Sequence, residues 1–341
     1  MEQIKKNDLI QWLDRNVETK KVIAPREIGG VLLYRRISNC DQIVWDFIRP
    51  TLSIKEAFFP PTESLLKIKI NGQDIVLGDV QIDKEQVLFG IRPCDARGVA
   101  AMDAVFIDQD PADSNYANRR DKSIIIGLAC KEMGDTCFCT STGGSPDDPT
   151  GMDLLLKETG DSFEVQAVNE KGLKFANEEW NLEIEAISDI VGGDLATTQH
   201  HQEFPIPELS AWPPQFGNSF WEEMAERCLS CKICAYVCPT CRCFDIRDES
   251  IPSDNGNAEF ERIRCWDSCA GESYRKIAGG HNPREEKGQR LRNRFFCKFY
   301  YYPEQYGPMG CTGCGRCIDS CPVNIDITEV ISYINEQIPS F

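Results

Sequence analysis

One cysteine pattern occurs twice in this chain and restricts the local backbone more than any other feature. Cys228-x2-Cys231-x2-Cys234-x3-Cys238-Pro239 is one copy; Cys311-x2-Cys314-x2-Cys317-x3-Cys321-Pro322 is the other. The spacing puts the first three thiols of each copy on a tight loop and predicts that the fourth begins a helix and points away. The proline then fixes the turn without leaving an N–H to satisfy. A disulfide framework, a zinc site and an iron–sulfur site can each be this dense in cysteine. The opening residues, MEQIKKNDLIQWLDRN, form no secretory leader, and no apolar run nears the roughly 20 residues of a membrane helix. The expectation is a cytoplasmic chain with no direct membrane insertion. The eighteen cysteines are then better metal ligands than disulfide partners.

The spacing and the terminal Cys-Pro match the bacterial run that holds [4Fe–4S] clusters, whose fourth cysteine ligates the neighbouring cluster. Structural zinc sites use two separated Cys-x2-Cys pairs instead. The expected assignment is crossed: Cys228, Cys231, Cys234 and Cys321 hold one cluster, and Cys311, Cys314, Cys317 and Cys238 hold a second. The copies are separated by residues 239–310, a long insertion carrying Cys241, Cys243, Cys265, Cys269 and Cys297. These five are either an extra metal site or redox-active pair, or small buried hydrophobes near the clusters. In RLRNRFF (290–296) the alternation of Arg290, Arg292 and Arg294 reads as one face of an extended stretch. That face would bind phosphate, raise a cluster's potential or simply be solvated.

The first half has α/β character. Residues 1–17 read as an amphipathic helix; VLLYRRI (31–37), QIVWDFI (42–48) and LLKIKI (65–70) read as strands, the last turning at Asn71-Gly72 into a hairpin. VLFGI (87–91) and SIIIGLA (123–129) read as buried strands flanking a helix, DARGVAAMDAVF; SFEVQAV and a helix around 171–187 follow. The expected organisation is an α/β, or α+β, domain over 1–199, a proline-rich linker over 200–217 and a split bacterial-type dicluster ferredoxin domain over 218–341. His200 and His201, in the linker, read as solvated rather than as ligands.

A second cysteine set lies in the α/β half. Cys94 and Cys130 each follow a predicted strand, and Cys137 and Cys139 flank Phe138. Strand ends of an α/β sheet form crevices where ligands bind. Cys94, Cys130, Cys137 and Cys139 could therefore hold a third [4Fe–4S] cluster; free thiols or a transient disulfide are the alternatives.

Charge is uneven. Residues 1–227 hold 23 basic and 39 acidic side chains, a balance of −16, whereas the remainder hold 14 and 15, a balance of −1. Such a field repels nucleic acid and, around a cluster, would favour the oxidised state and lower its potential. No GxGxxG follows a strand, and no phosphate loop or HExxH occurs. One-electron transfer is the chemistry left. Whether the chain is an enzyme stays open, with no substrate site of its own evident.

Several stretches carry a family likeness: SIKEAFFPPTESLL (53–66), FGIRPCDARGVAAMDAVF (89–106), NRRDKSIIIGLACKEMGDTCFCTSTGG (118–144), CPTCRCFD (238–245), RCWDSC (264–269), GHNPR (280–284) and GCTGCGRCIDSCPVNIDI (310–327). They resemble the iron–sulfur beta subunit of sulfhydrogenases and the A subunit of anaerobic sulfite reductase. The resemblance implies an electron-carrying subunit between a flavin- and NAD(P)H-handling partner, which carries those cofactors, and a catalytic partner. That catalytic partner would be a hydrogenase, a sulfite or sulfur reductase, or a heterodisulfide-reductase-like complex. The alternative is a reductase with its own sulfur-substrate site at a reactive cluster or cysteine site. Cys297 stands where the resemblance leads one to expect histidine.

Overall fold

In the computed structural model the described residues are 2–71, 74–78, 85–184, 203–252 and 258–338; His200 and His201 lie outside them. A short strand β1 (Gln3–Lys5) leads into helix α1 (Lys6–Asn16), where Leu9, Trp12 and Leu13 recur at helical spacing and are buried. β2 (Lys21–Ile28) and β3 (Val31–Arg36) form one hairpin, and β4 (Thr62–Asn71) pairs with β5 (Asp74–Gly78) in another. Then come β6 (Gln86–Ile91), α2 (Pro93–Phe106), α3 (Ser114–Asp121), β7 (Ser123–Leu128), β8 (Leu154–Thr159), β9 (Ser162–Ala167) and α4 (Glu170–Trp180).

A seven-stranded sheet runs in the order β1-β9-β8-β7-β6-β2-β3. Its four central strands, β8, β7, β6 and β2, are parallel, and the outer ones are antiparallel. Every residue of β6 and β7 is buried, as expected of parallel strands covered on both faces. Val87, Phe89 and Ile126 pack beneath α1 and α4, while Leu88 and Ile125 meet α2, Phe58 and Phe59 on the other face.

Two expected elements differ. Residues 42–48 are not a strand: after a single 3-10 turn the chain is irregular, and Arg92 takes the carbonyls of Phe47 and Ile48 that a ladder would have used. The helix expected around 171–187 stops at Trp180, where Asn181 adopts a left-handed φ of 51°; residues 185–187 lie outside the described set.

The second half adds α5 (Phe220–Glu226), α6 (Ile233–Tyr236), β10 (Phe244–Ile251), β11 (Ala258–Trp266), α7 (Lys287–Phe296), α8 (Tyr302–Tyr306), α9 (Arg316–Asp319) and α10 (Ile327–Glu336). The β10–β11 hairpin does not stand alone. β11 pairs with β4, giving a four-stranded sheet β10-β11-β4-β5 drawn from both halves of the chain. Arg264 on β11 bonds Glu63 on β4 at 2.6 Å and also pairs with Asp113, and Trp266 Nε1 donates to the Phe59 carbonyl at 3.0 Å. The described residues before and after the proline-rich stretch are thus successive in sequence but share one sheet in space. Within the proline-rich stretch, Trp212 is fully buried and packs against Phe296 and Phe299. Among the described residues no helix is long and apolar enough to cross a membrane.

Candidate iron–sulfur sites

The two cysteine motifs share one backbone shape. The second and fourth residues after the first cysteine have positive φ in both copies: Ser230 (53°) and Lys232 (68°), Gly313 (63°) and Gly315 (72°). A four-residue helix follows each, α6 and α9, and contains the third cysteine. The fourth cysteine was expected to begin a helix. Instead Cys238 and Cys321 follow the end of α6 and α9 and lead into a turn, because so short a helix finishes before reaching them. Backbone N–H groups approach the sulfurs, from Ser230 to Cys228 at 3.4 Å and from Ile325 to Cys321 at 3.2 Å.

Cys228, Cys231, Cys234 and Cys321 line one pocket, and Cys317 forms part of its wall. Cys238 lies close enough to Cys311 and Cys317 to act on both electrostatically, and Cys314 does the same to Cys317. In the first half, Cys94, Cys130, Cys137 and Cys139 line a second pocket at the C-terminal ends of β6 and β7. Cys314 and Gly313 of the distant motif close that pocket, a neighbour that strand-end reasoning could not supply.

The join is backbone against backbone. Phe138 N–H donates to the Gly313 carbonyl at 2.8 Å. A Cβ on Gly313 would sit 2.4 Å from the Phe138 oxygen, and one on Gly315 would sit 2.3 Å from that of Thr136. Phe138 itself is buried in the apolar core of the second half, with Leu291, Phe295 and Val330, a burial that contributes about 2–3 kcal/mol. The Cys-Phe-Cys loop thereby turns its sulfurs to one pocket and pins the other half with its ring.

Burial raises the thiols, to about 12 at Cys139 and Cys311 and about 11 at Cys130 and Cys317. Metal loading must therefore displace their protons. Among the described residues no three His, Cys, Asp or Glu side chains are arranged for a single metal ion. The sulfurs stand around pockets instead, and an all-thiol donor set suits iron–sulfur clusters.

The charge next to Cys137, Cys234 and Cys238 is positive, unlike the acidic balance of the chain, whereas Cys94 has the buried Asp95–Arg316 pair beside it. Lys298 Nζ lies 3.0 Å from Cys238 Sγ, and Arg49 Nη1 lies 2.9 Å from Cys137 Sγ. Arg294 is buried; desolvation opposes its charge, but Cys234, Cys317, Cys241 and Cys238 outweigh that and raise its pKa. The acidic residues of the first half are mostly on the outside, so their count does not report the field at the sulfurs. RLRNRFF is part of α7 and not extended. Helical spacing buries Arg290 and Arg294, while Arg292 turns away to stack on Phe216 and bond its carbonyl at 2.7 Å. Reading 3.6-residue periodicity there would have found Arg294; no sequence signal marks Arg49.

Of the insertion cysteines, Cys241, Cys243, Cys269 and Cys297 line one cleft. Cys265 lies apart on β11, its sulfur 3.8 Å from the Thr62 hydroxyl.

Residues 227–325, spanning both motifs, match the 4Fe-4S dicluster domain family. The whole chain is 30% identical over 339 residues to the sulfhydrogenase 2 subunit beta of Pyrococcus furiosus, covering 96% of each chain. No solved structure matches. The similarity therefore extends well beyond the cysteine motifs, through both sheets, and the chain belongs to the family of iron–sulfur beta subunits of sulfhydrogenases.

Proposed function

We propose that this iron–sulfur electron-transfer subunit carries three [4Fe–4S] clusters in a continuous relay between a flavin- and NAD(P)H-handling subunit and a catalytic redox subunit. Cys228, Cys231, Cys234 and Cys321 would hold one cluster, Cys311, Cys314, Cys317 and Cys238 the second, and Cys94, Cys130, Cys137 and Cys139 the third. The observation that carries this reading is that residues of the middle motif line both outer pockets: Cys317 the first and Cys314 the third. Bound clusters would supply one-electron storage with little rearrangement. The chain's own residues would set the three sites side by side and put buried cations beside Cys137, Cys234 and Cys238.

One end of the relay is open. Cys231 is exposed, and its neighbour Leu229 is 64% exposed. This loop supports electron exchange with a partner there. The name of the Pyrococcus relative makes that protein a subunit of a sulfhydrogenase, which supports obligate association for this chain as well.

Iron analysis of anaerobically purified chain tests the reading. About twelve Fe per chain are expected, falling by about four in Cys94→Ser or Cys139→Ser with loss of one paramagnetic signal. About eight Fe, with spectra indifferent to both substitutions, would remove the third site.

A further inference from the structure

The insertion between the motifs contains a cleft of about 470 Å3 that the relay does not use. Cys241, Cys243, Cys269 and Cys297 line it, and Cys243 and Cys269 are close enough for each to shift the other's titration. The Tyr274 hydroxyl reaches Cys243 as well. Cys269 is buried, whereas Cys243 is partly open. The neighbouring Cys269 brings the Cys243 thiol down to about 6 against the effect of burial, which favours a nucleophilic thiolate near neutral pH. Cys241, on the same wall, lies close enough to Cys238 of the nearest motif to shift its titration.

The remaining lining selects for charge. Arg242, Arg275, Arg284, Arg294 and Lys298 all face the cleft, and among the described residues lining it there is no carboxylate. In a chain of net charge −17, five cations around one opening form a local trap for an anion.

We infer that Cys243 and Cys269 form a redox-active dithiol that reduces a small anionic disulfide bound in this cleft. Cys243 attacks one sulfur of the substrate, forming a mixed disulfide and releasing the first thiolate. Cys269 then attacks the Cys243 sulfur, releasing the second thiolate and closing a Cys243–Cys269 disulfide. Two electrons, which an iron–sulfur electron-transfer subunit delivers singly, and two protons restore the dithiol. The net change is one disulfide, two electrons and two protons to two thiols. The inference rests on the relay reading only for its electrons.

The test uses anaerobically purified full-length chain and oxidised glutathione as the probe, with peptide mass spectrometry under non-reducing conditions. Wild type should gain a Cys243–Cys269 disulfide. Cys269→Ser should accumulate glutathione on Cys243, and Cys243→Ser should leave Cys269 unmodified, both with wild-type iron content. The joint variant Arg275→Gln, Arg284→Gln should slow the reaction with oxidised glutathione about tenfold but not that with uncharged 2-hydroxyethyl disulfide. Loss of about four Fe in either cysteine variant would make these residues ligands of another cluster and overturn the proposal. So would a wild-type map without the Cys243–Cys269 bond, or equal slowing of both probes. The wild-type map needs no variant to fold, and it decides the pair independently of the paramagnetic signals that decide the relay.

Discussion

Arg316 Nη2 stands 2.6 Å from Asp95 Oδ2, and both side chains are buried. Asp95 follows Cys94, and Arg316 precedes Cys317. The pair therefore ties the strand-end pocket to the second motif, supported by Tyr34 Oη on Asp95 at 3.0 Å and the Pro50 carbonyl on Arg316 Nε at 2.8 Å. Removing one member leaves the other charged and buried, which costs about 3–5 kcal/mol. Arg316→Met should lower the free energy of unfolding by that amount and accelerate iron loss. Asp95→Asn with Arg316→Met should recover much of the loss. A single variant as stable as wild type in denaturant titration would show that the pair does not hold the halves together.

Gly313 and Ser230 occupy equivalent places in the two motifs, with φ of 63° and 53°, but a Cβ at Gly313 would meet the Phe138–Cys139 backbone, whereas Ser230 already carries one. Gly313→Ala meets both left-handed strain and a carbonyl that cannot retreat, so a loss of about 3 kcal/mol or more is expected. Ser230→Gly removes only the strain and should be neutral to stabilising by about 1 kcal/mol. Thermal unfolding of both variants, with iron content measured alongside, checks the contrast.

The repeat, the buried strands β6 and β7 and the strand-end cysteines were all legible in sequence. Each rests on a local signal, either a fixed spacing or an apolar run. The shared sheet was not legible. FDIRDESI and AEFERIRCW look like a polar, exposed hairpin, and nothing in either segment names β4 as its partner. The cations beside the sulfurs were equally hidden. Arg49 lies 88 residues from Cys137, and Lys298 lies 60 from Cys238. Long-range pairings of this kind are set by how the elements dock, which composition and net charge do not record.

The shared sheet predicts that the first half will not fold alone. Glu63 bonds Arg119 and Arg264 at 2.6 Å each, and Trp266 stacks on Phe59 with ring centroids 6.1 Å apart. A fragment ending at residue 217 would keep Glu63 and Arg119 but lose Arg264 and Trp266, exposing Phe59 and the edge of β4. It should be aggregation-prone and lack a cooperative transition by calorimetry. In the full chain, Arg264→Ala should cost about 3–5 kcal/mol. A soluble, cooperatively unfolding fragment would show that the N-terminal half is an independent domain.

Lys298 offers the most direct control over redox behaviour. Its ammonium is buried 3.0 Å from Cys238 Sγ and also bonds Thr240 Oγ1 at 3.2 Å and the Gly310 carbonyl at 3.0 Å. A cation held there favours the more negative, reduced state of any cluster that Cys238 ligates. Replacing it with Met removes one positive charge; for an added electron spread over a cluster and centred roughly 8 Å away, that is about 2 kcal/mol at an effective dielectric of about 20, or roughly 100 mV for one electron. Lys298→Met should therefore lower the midpoint of one paramagnetic signal by roughly that amount and leave the others nearly unmoved. The exposed Lys276→Met serves as the control, with a shift within about 10 mV because solvent screens it. Redox titration followed by electron paramagnetic resonance measures both. A Lys298→Met midpoint equal to wild type, with iron content intact, would mean that the buried cation balances something other than a cluster bound through Cys238.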